Sequence, residues 1–428
     1  MRLELRQVLV KDVQWGGPTR VENHVLYVDK EALLEKLSDD DRIESWEVDL
    51  ARPGESVRII PVKDVIEPRV KLEGGCGFFP GVLGPNETVG SGATLVLKGA
   101  AVVSAGPIMA FQEGFIDMSG PGAEHTPFSK TQNVVILAQP KDGLEKHQYE
   151  EALRVAGLKV ALYLAESCTD AKIDEVKVFE KGTVTEEALK YPNLPKVVHL
   201  CMCITQGLLH DTYLYGADMK SILPTLVHPN EIIDGAMVSG NCVSACDKNT
   251  TWHHVNDPVI QELYALHGKE INFLGMIPTL ESTVLAGKER TSSFNAKLAH
   301  ELGANGVIIT EEGYGNPDTD ICMNVRKCEA LGIKTVVIAD EASGTDGSSQ
   351  GLADATPELT AFVSAGNVNE MLEVPAMDKI IGYPESIAHV SGGAAESLRE
   401  DGSMYVELQS IIGSTCEIGS NRSGSLWV

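Results

Sequence analysis

Cations are scarce in this sequence. Its 428 residues hold 35 lysines and arginines against 61 acidic residues, a formal net charge of -26, so the surface repels phosphate backbones and anionic lipid headgroups. Nucleic acid and membrane are therefore not expected as partners. Uninterrupted apolar runs are missing too: none reaches the ~18 to 20 residues that a membrane-spanning helix requires, and the opening "MRLELRQVLVKDVQWGG" lacks the apolar centre of a secretory signal. A cytoplasmic protein is the expectation. The nine cysteines, at 76, 168, 201, 203, 242, 246, 322, 328 and 416, are odd in number and scattered, so they read as small buried hydrophobes rather than a disulfide framework. Phosphate-binding fingerprints are also absent. The glycine-rich pieces "GGCGFFPG" and "GVLGPNETVGSG" match neither G-x-G-x-x-G after a strand nor the P-loop pattern and read as turns. There is no internal repeat and no low-complexity tract.

A single core stops growing at about 250 to 300 residues, so a chain of 428 residues predicts two or three domains. Residues 1–130 carry short β-leaning runs such as "ESVRIIPVKDVIEPRV" and "GATLVLKGAAVV" without a long amphipathic helix, and predict a β-rich N-terminal domain. From "NVVILA" (133–138) the pattern changes. An apolar run, the helix-like "EKHQYEEALRVAGLKVALYLAE" and the run "KVVHLCMC" (196–203) predict a βαβ unit within an α/β region over 131–241. The same grammar returns over 242–428, with "INFLGMIP" (271–278), a helix starting near Ser292 that aligns Phe294, Leu298 and Leu302, then "GVIIT" (306–310) and "KTVVIAD" (334–340). The fold class that follows is α/β: a β-rich N-terminal domain, then α/β regions with open, mainly parallel sheets on both sides of the Asn241–Cys242 bond. Such sheets bind ligands beyond the carboxyl ends of their strands. Here those segments are "PTLEST", "TEEGYGNPDTD" and "ADEASGTDG", crowded with acidic and small polar residues.

The stretch "SGNCVSACDKNTTWHH" (239–254) concentrates reactive side chains, and three chemistries compete for it. Cys201, Cys203, Cys242, Cys246, His253 and His254 could together supply four metal ligands. However, the C-x-C pair is expected to divide between the two faces of its strand, and C-x-x-x-C lacks the paired spacing of structural zinc. No metal is expected. A redox dithiol would need C-x-x-C at a helix start. In the third reading the peptide bond before Cys242 breaks. Ser239-Gly240 permits strained backbone ahead of Asn241, Cys242 is the strongest side-chain nucleophile, and His253 or His254 could act as base. Attack of the sulfur on the Asn241 carbonyl, β-elimination and hydrolysis with loss of ammonia would leave a pyruvoyl group at position 242, with the sulfur on the upstream fragment. On the residues alone all three readings stay open.

In its length and in "GNCVSACDKNTTWHHVNDPVIQELYALHGKEINFLGMIPTLESTVLAGKERTSSFNAKLAHELGANG", the chain resembles the component B proproteins of the pyruvoyl-containing glycine, sarcosine and betaine reductases. The resemblance implies cleavage between Asn241 and Cys242, conversion of Cys242 into a covalently bound pyruvoyl cofactor, and alpha (1–241) and beta (242–428) fragments that stay together. It further implies a substrate amine held as a Schiff base and attacked by the selenoprotein subunit of component B. Selenoprotein component A and component C would complete the reductive deamination to acetyl phosphate and ammonia. Glycine is the first choice of substrate. The sarcosine or betaine version and a D-proline reductase relative are the alternatives, and a non-catalytic scaffold or Cys/His metal-binding protein is the alternative of another class. An amino-acid carboxylate needs a cation, for which Lys288 and Arg290 are the candidates.

Overall fold

Short runs of β-branched residues become strands through most of the first half, as their pattern predicts. In chain order these are β1 (Arg2–Leu9), β2 (Ile43–Ala51), β3 (Val57–Ile66), β4 (Arg69–Glu73), β5 (Gly92–Lys98), β6 (Ala100–Ala105), β7 (Gly114–Asp117) and β8 (Gln132–Pro140). Helix α1 (Lys146–Glu166), β9 (Glu175–Glu180) and β10 (Lys196–Cys203) follow. Beyond them lie α2 (Thr251–Val255), α3 (Pro258–Leu266), β11 (Asn272–Leu280), α4 (Leu285–Glu301), β12 (Gly306–Glu311), α5 (Asp318–Ala330), β13 (Lys334–Glu341), β14 (Phe362–Asn367), β15 (Lys379–Gly382) and β16 (Gly424–Leu426). This computed structural model describes residues 1–75, 78–109, 113–206, 212–240, 249–419 and the backbone of 424–426. Asn241, Cys242 and Cys246, on which the cleavage and dithiol readings rest, lie outside the described residues.

The architecture is mixed α/β. One sheet runs β9-β1-β5-β4, and a second runs β7-β3-β6-β8-β2 with β15 also paired to β3. All ten residues of β3 are buried, including Arg58 and Lys63. A buried charge is tolerated when it is paired: Arg58 Nε sits 2.6 Å from Asp117 Oδ1, and Lys63 Nζ sits 2.5 Å from Glu113 Oε1.

The βαβ unit expected over 133–203 does not form. Strand β8 lies parallel to β6 and antiparallel to β2, α1 packs on β4 and β6, and β10 belongs to another sheet. Apolar runs mark buried strands without saying which sheet receives them, so the N-terminal sheet extends past residue 130.

The third sheet has the order β11-β10-β12-β13-β14-β16; its first five strands are parallel and β16 is antiparallel. Here the expectation of a sheet on each side of the Asn241–Cys242 bond is corrected. Strand β10, from upstream of that bond, is inserted between β11 and β12, with Leu200 opposite Ile277 and Ile309. Val198, Leu200 and Met202 join one apolar cluster, while Cys201 and Cys203 join another. A strand apolar on both faces belongs in the middle of a covered parallel sheet. The exchange is mutual, because β15, from downstream, pairs with β3.

Candidate active site at the sheet switch point

Within the parallel sheet β10 is first in sequence, β11 lies on one side and β12 on the other, so the chain reverses direction of winding between β10 and β12. Ligands of open α/β sheets bind at such a point, beyond the strand carboxyl ends. Directly after β12, Glu312 is buried, and its Oε2 accepts the Ile204 amide at 2.8 Å and the Thr212 hydroxyl at 2.9 Å. Its other oxygen lies 3.4 Å from His254 Nε2. Glu311, one residue earlier, is buried too, in the electrostatic reach of Asp318, Glu281, Asp340 and Asp320. Desolvation, then these carboxylates, hold the Glu311 carboxyl well above the usual carboxylate range. Glu417 is raised in the same way, by burial first and then by Cys416, Glu312 and Asp340.

Cys201 and Cys203 end β10 with their sulfurs 4.0 Å apart. The expectation that they divide between faces is wrong, because side chains two residues apart in a strand share a face. The Cys203 thiol is pushed well up by its hydrogen bond with Cys201, by burial and by nearby Glu312 and Glu281, which keeps it protonated. Among the described residues no group of three or more His, Cys, Asp or Glu is placed to hold a metal ion.

Residues 239–240 and 249–254, the described flanks of position 242, approach this point and are largely buried. Ser239, Gly240, Asn249 and Thr250 are all enclosed. The Asn249 amide donates to Glu417 Oε1, and the Cys416 thiol donates to Asn249 Oδ1 at 3.4 Å. Thr250 caps α2, its hydroxyl accepting the His253 amide at 3.3 Å, while His253 Nδ1 accepts the Thr250 amide at 3.1 Å. An Nδ1 that accepts leaves the ring proton on Nε2. The His253 ring packs edge-on to Phe128 and Trp252, with centroids at 5.1 and 5.5 Å, and burial, aided by His254, pushes its pKa down to about 3. His253 is thus a neutral capping group, whereas its neighbour His254 faces the Glu312 carboxylate.

Lys288 and Arg290 lie inside α4, which begins at Leu285 rather than near Ser292. Lys288 is buried, ion-paired with Asp320, and donates to the Asn316 carbonyl at 2.9 Å; Arg290 is exposed. The two therefore do not converge. The packed face of α4 also differs from the expected one: Phe294 is 41% exposed, while Thr291, Ser292, Asn295, Ala296 and Ala299 are buried. Small and hydrogen-bonded residues bring α4 close to its neighbours, with Asn295 Nδ2 bonded to Thr279 Oγ1 at 3.1 Å and Asn324 Oδ1 at 3.0 Å. Of the carboxyls gathered here, those at or just beyond the carboxyl ends of β11, β12 and β13 fall in segments that the sheet pattern marks. Glu417 had no such signal, because it reaches the point only through the packing of a distant segment.

The family described as glycine/sarcosine/betaine reductase component B subunits matches residues 1–425. The chain belongs to that family. It is 56% identical over 424 residues to the glycine reductase complex component B subunits alpha and beta of Acetoanaerobium sticklandii, covering 99% of each chain. A protein of the same description from Peptoclostridium acidaminophilum is 56% identical over 419 residues, 98% of each chain. The sarcosine reductase complex component B subunit alpha of that organism is 53% identical over 422 residues, 99% of each chain. No solved structure matches significantly. As a member of this family the chain is a reductase subunit.

Proposed function

We propose that this chain is the self-processing component B subunit of a glycine reductase, in which the Asn241–Cys242 bond opens, Cys242 becomes a pyruvoyl group, and a small amino acid is bound through its amine for reductive deamination by a selenoprotein partner. The observation that carries this reading is the match, nearly end to end, to component B subunits alpha and beta. A pyruvoyl ketone supplies an electrophile that condenses with an amine and draws electrons from it, where no pyridoxal phosphate is bound.

The chain's own residues suit such a group. The segment that would carry it is bracketed by the buried Gly240 and Asn249, so its ends start in a medium of low dielectric. An amino acid arrives as an ammonium ion and must lose a proton before its nitrogen can attack. His254, held against Glu312, is the acceptor for that proton and, before it, the base for opening the Asn241–Cys242 bond, while burial biases the Glu311 and Glu417 carboxyls toward their neutral forms. The described cysteines make poor nucleophiles. All six are buried, and burial raises the Cys168 and Cys322 thiols to about 11 and the Cys328 thiol to about 12. The sequence contains no selenocysteine, which is why the attacking group is assigned to a partner.

Denaturing separation should show pieces of about 26 and 20 kDa from the 46.0 kDa chain, split after residue 241. The smaller should react with phenylhydrazine and resist Edman degradation, since its terminus is a ketone. Cys242→Ala should remain whole. A purified wild-type chain that stays at full mass, or a Cys242→Ala variant that still splits there, would overturn the reading. Release of ammonia from glycine against methylamine from sarcosine, in the presence of selenoprotein partners, assigns the substrate.

A further inference from the structure

Asp64 lies in the middle of β3, 1% exposed, in a strand where every other buried charge has an evident reason. Arg58 and Lys63 form ion pairs across the sheet, whereas the Asp64 carboxylate is turned to Thr251, the first residue of α2. Asp64 Oδ1 accepts the Thr251 amide at 3.0 Å, and Oδ2 accepts the Thr251 hydroxyl at 2.6 Å. With its proton committed to Asp64, the hydroxyl oxygen accepts the Ser239 amide at 3.0 Å. Thr251 and Ser239 are 0% and 2% exposed, so water does not compete for these bonds. One hydroxyl therefore ties together the two ends of the segment that contains position 242, and one carboxylate of the N-terminal sheet holds the knot. A second brace, from β4 in the other N-terminal sheet, repeats the pattern. Arg69 donates to the Ile233 carbonyl at 2.6 Å, upstream of the segment, and to the Val255 carbonyl at 3.2 Å, downstream of it.

We infer that Asp64, acting through the Thr251 hydroxyl, is a positioning residue for chain cleavage: it sets the separation of Ser239 and Thr251 and so presents the intervening segment for reaction. This rests on the proposed opening of the Asn241–Cys242 bond. Attack by a side chain on the preceding carbonyl requires close approach in one orientation, and fixing both ends of a short segment raises the fraction of time spent there. Without the knot the ends separate and the reactive arrangement is diluted among others. After cleavage Ser239 and Thr251 belong to different fragments, and the same joint keeps the new termini in register.

The experiment uses the full chain with Thr251→Val, Thr251→Ser and Asp64→Asn. Valine matches threonine in shape but can neither donate nor accept, serine can do both, and asparagine keeps one acceptor without the charge. Cleavage is followed by denaturing gel after a synthesis pulse, and amide exchange of the peptide containing Ser239 is measured in an uncleaved Cys242→Ala background. Thr251→Val is expected to slow cleavage by about 10-fold or more and to speed Ser239 exchange by about 10-fold, the loss of one buried hydrogen bond. Asp64→Asn should act in the same direction, and Thr251→Ser should keep both readouts within about 3-fold of wild type, since its hydroxyl restores the bond. A general loss of stability would not be rescued by serine in this way. Cleavage of Thr251→Val at the wild-type rate, unchanged Ser239 exchange, or a Thr251→Ser variant as slow as Thr251→Val would overturn the inference while leaving the proposed function standing. A wild-type chain that stays whole would overturn both.

Discussion

Adjacent histidines take unlike roles here because one residue of helix turns a side chain through about 100°. His253 points back to cap α2 through Thr250, and His254 points at Glu312. His254→Gln is therefore expected to slow cleavage by about 100-fold, the usual scale for a lost general base, with little change in melting. His253→Gln should instead lower the melting temperature and leave cleavage of the folded fraction near the wild-type rate. If the two variants exchange these phenotypes, the proton acceptor has been misassigned. Asp257 supplies a pH test away from this point. Burial raises its carboxyl from 3.8 to about 7, against the amide hydrogen bonds of Ile260 and Val259 that favour the ionised form. The folded chain thus binds this proton more tightly than the unfolded chain, so the stabilisation is full below about pH 4 and is lost as pH rises to about 7. Asparagine caps helices as well as aspartate and does not titrate. Asp257→Asn should gain melting temperature relative to wild type across that interval and level off above it; a difference that does not vary with pH would refute the assignment.

At the scale of elements, β10 is the informative case. Its sequence, KVVHLCMC, has buried residues on both faces, which marks a central strand without naming its neighbours. Residues 242–428 alone would lack it, leaving β11 without its partner and β12 with an open edge. Produced alone, that piece is expected to show no cooperative thermal transition, and co-production with residues 1–241 should restore one. A sharp melt of the isolated piece would show that β11 and β12 can close on each other. Helix α4 teaches the complementary point. Periodicity of Phe294, Leu298 and Leu302 predicts an apolar face, yet the helix turns its small and amide-bearing residues inward, because a close approach to α5 and the sheet rewards small volume over hydrophobicity.

For the whole molecule, the interleaving of β10 with β11 and β12, and of β15 with β3, would make association of the two fragments of the proposed cleavage a matter of backbone ladders and apolar burial rather than surface charge. The fragments should co-elute in size exclusion at ionic strengths up to about 1 M, where exposed ion pairs are screened over a few ångströms, and should part only in denaturant. Separation by salt alone would contradict the shared sheets. The charge balance, the strands and helices as local runs, the marking of loops after β11, β12 and β13, and the singularity of residues 239–254 were determined by sequence, since each depends on composition or on neighbours within a few positions. Tertiary structure decided that β8 lies between β6 and β2 in the second sheet, that one parallel sheet spans both sides of the Asn241–Cys242 bond, that Glu417 meets Asn249, and that Asp64 reaches Thr251 across 187 positions. Pairings of that separation carry no local pattern, because they are selected by which arrangement buries every strand face and satisfies every buried polar group at once.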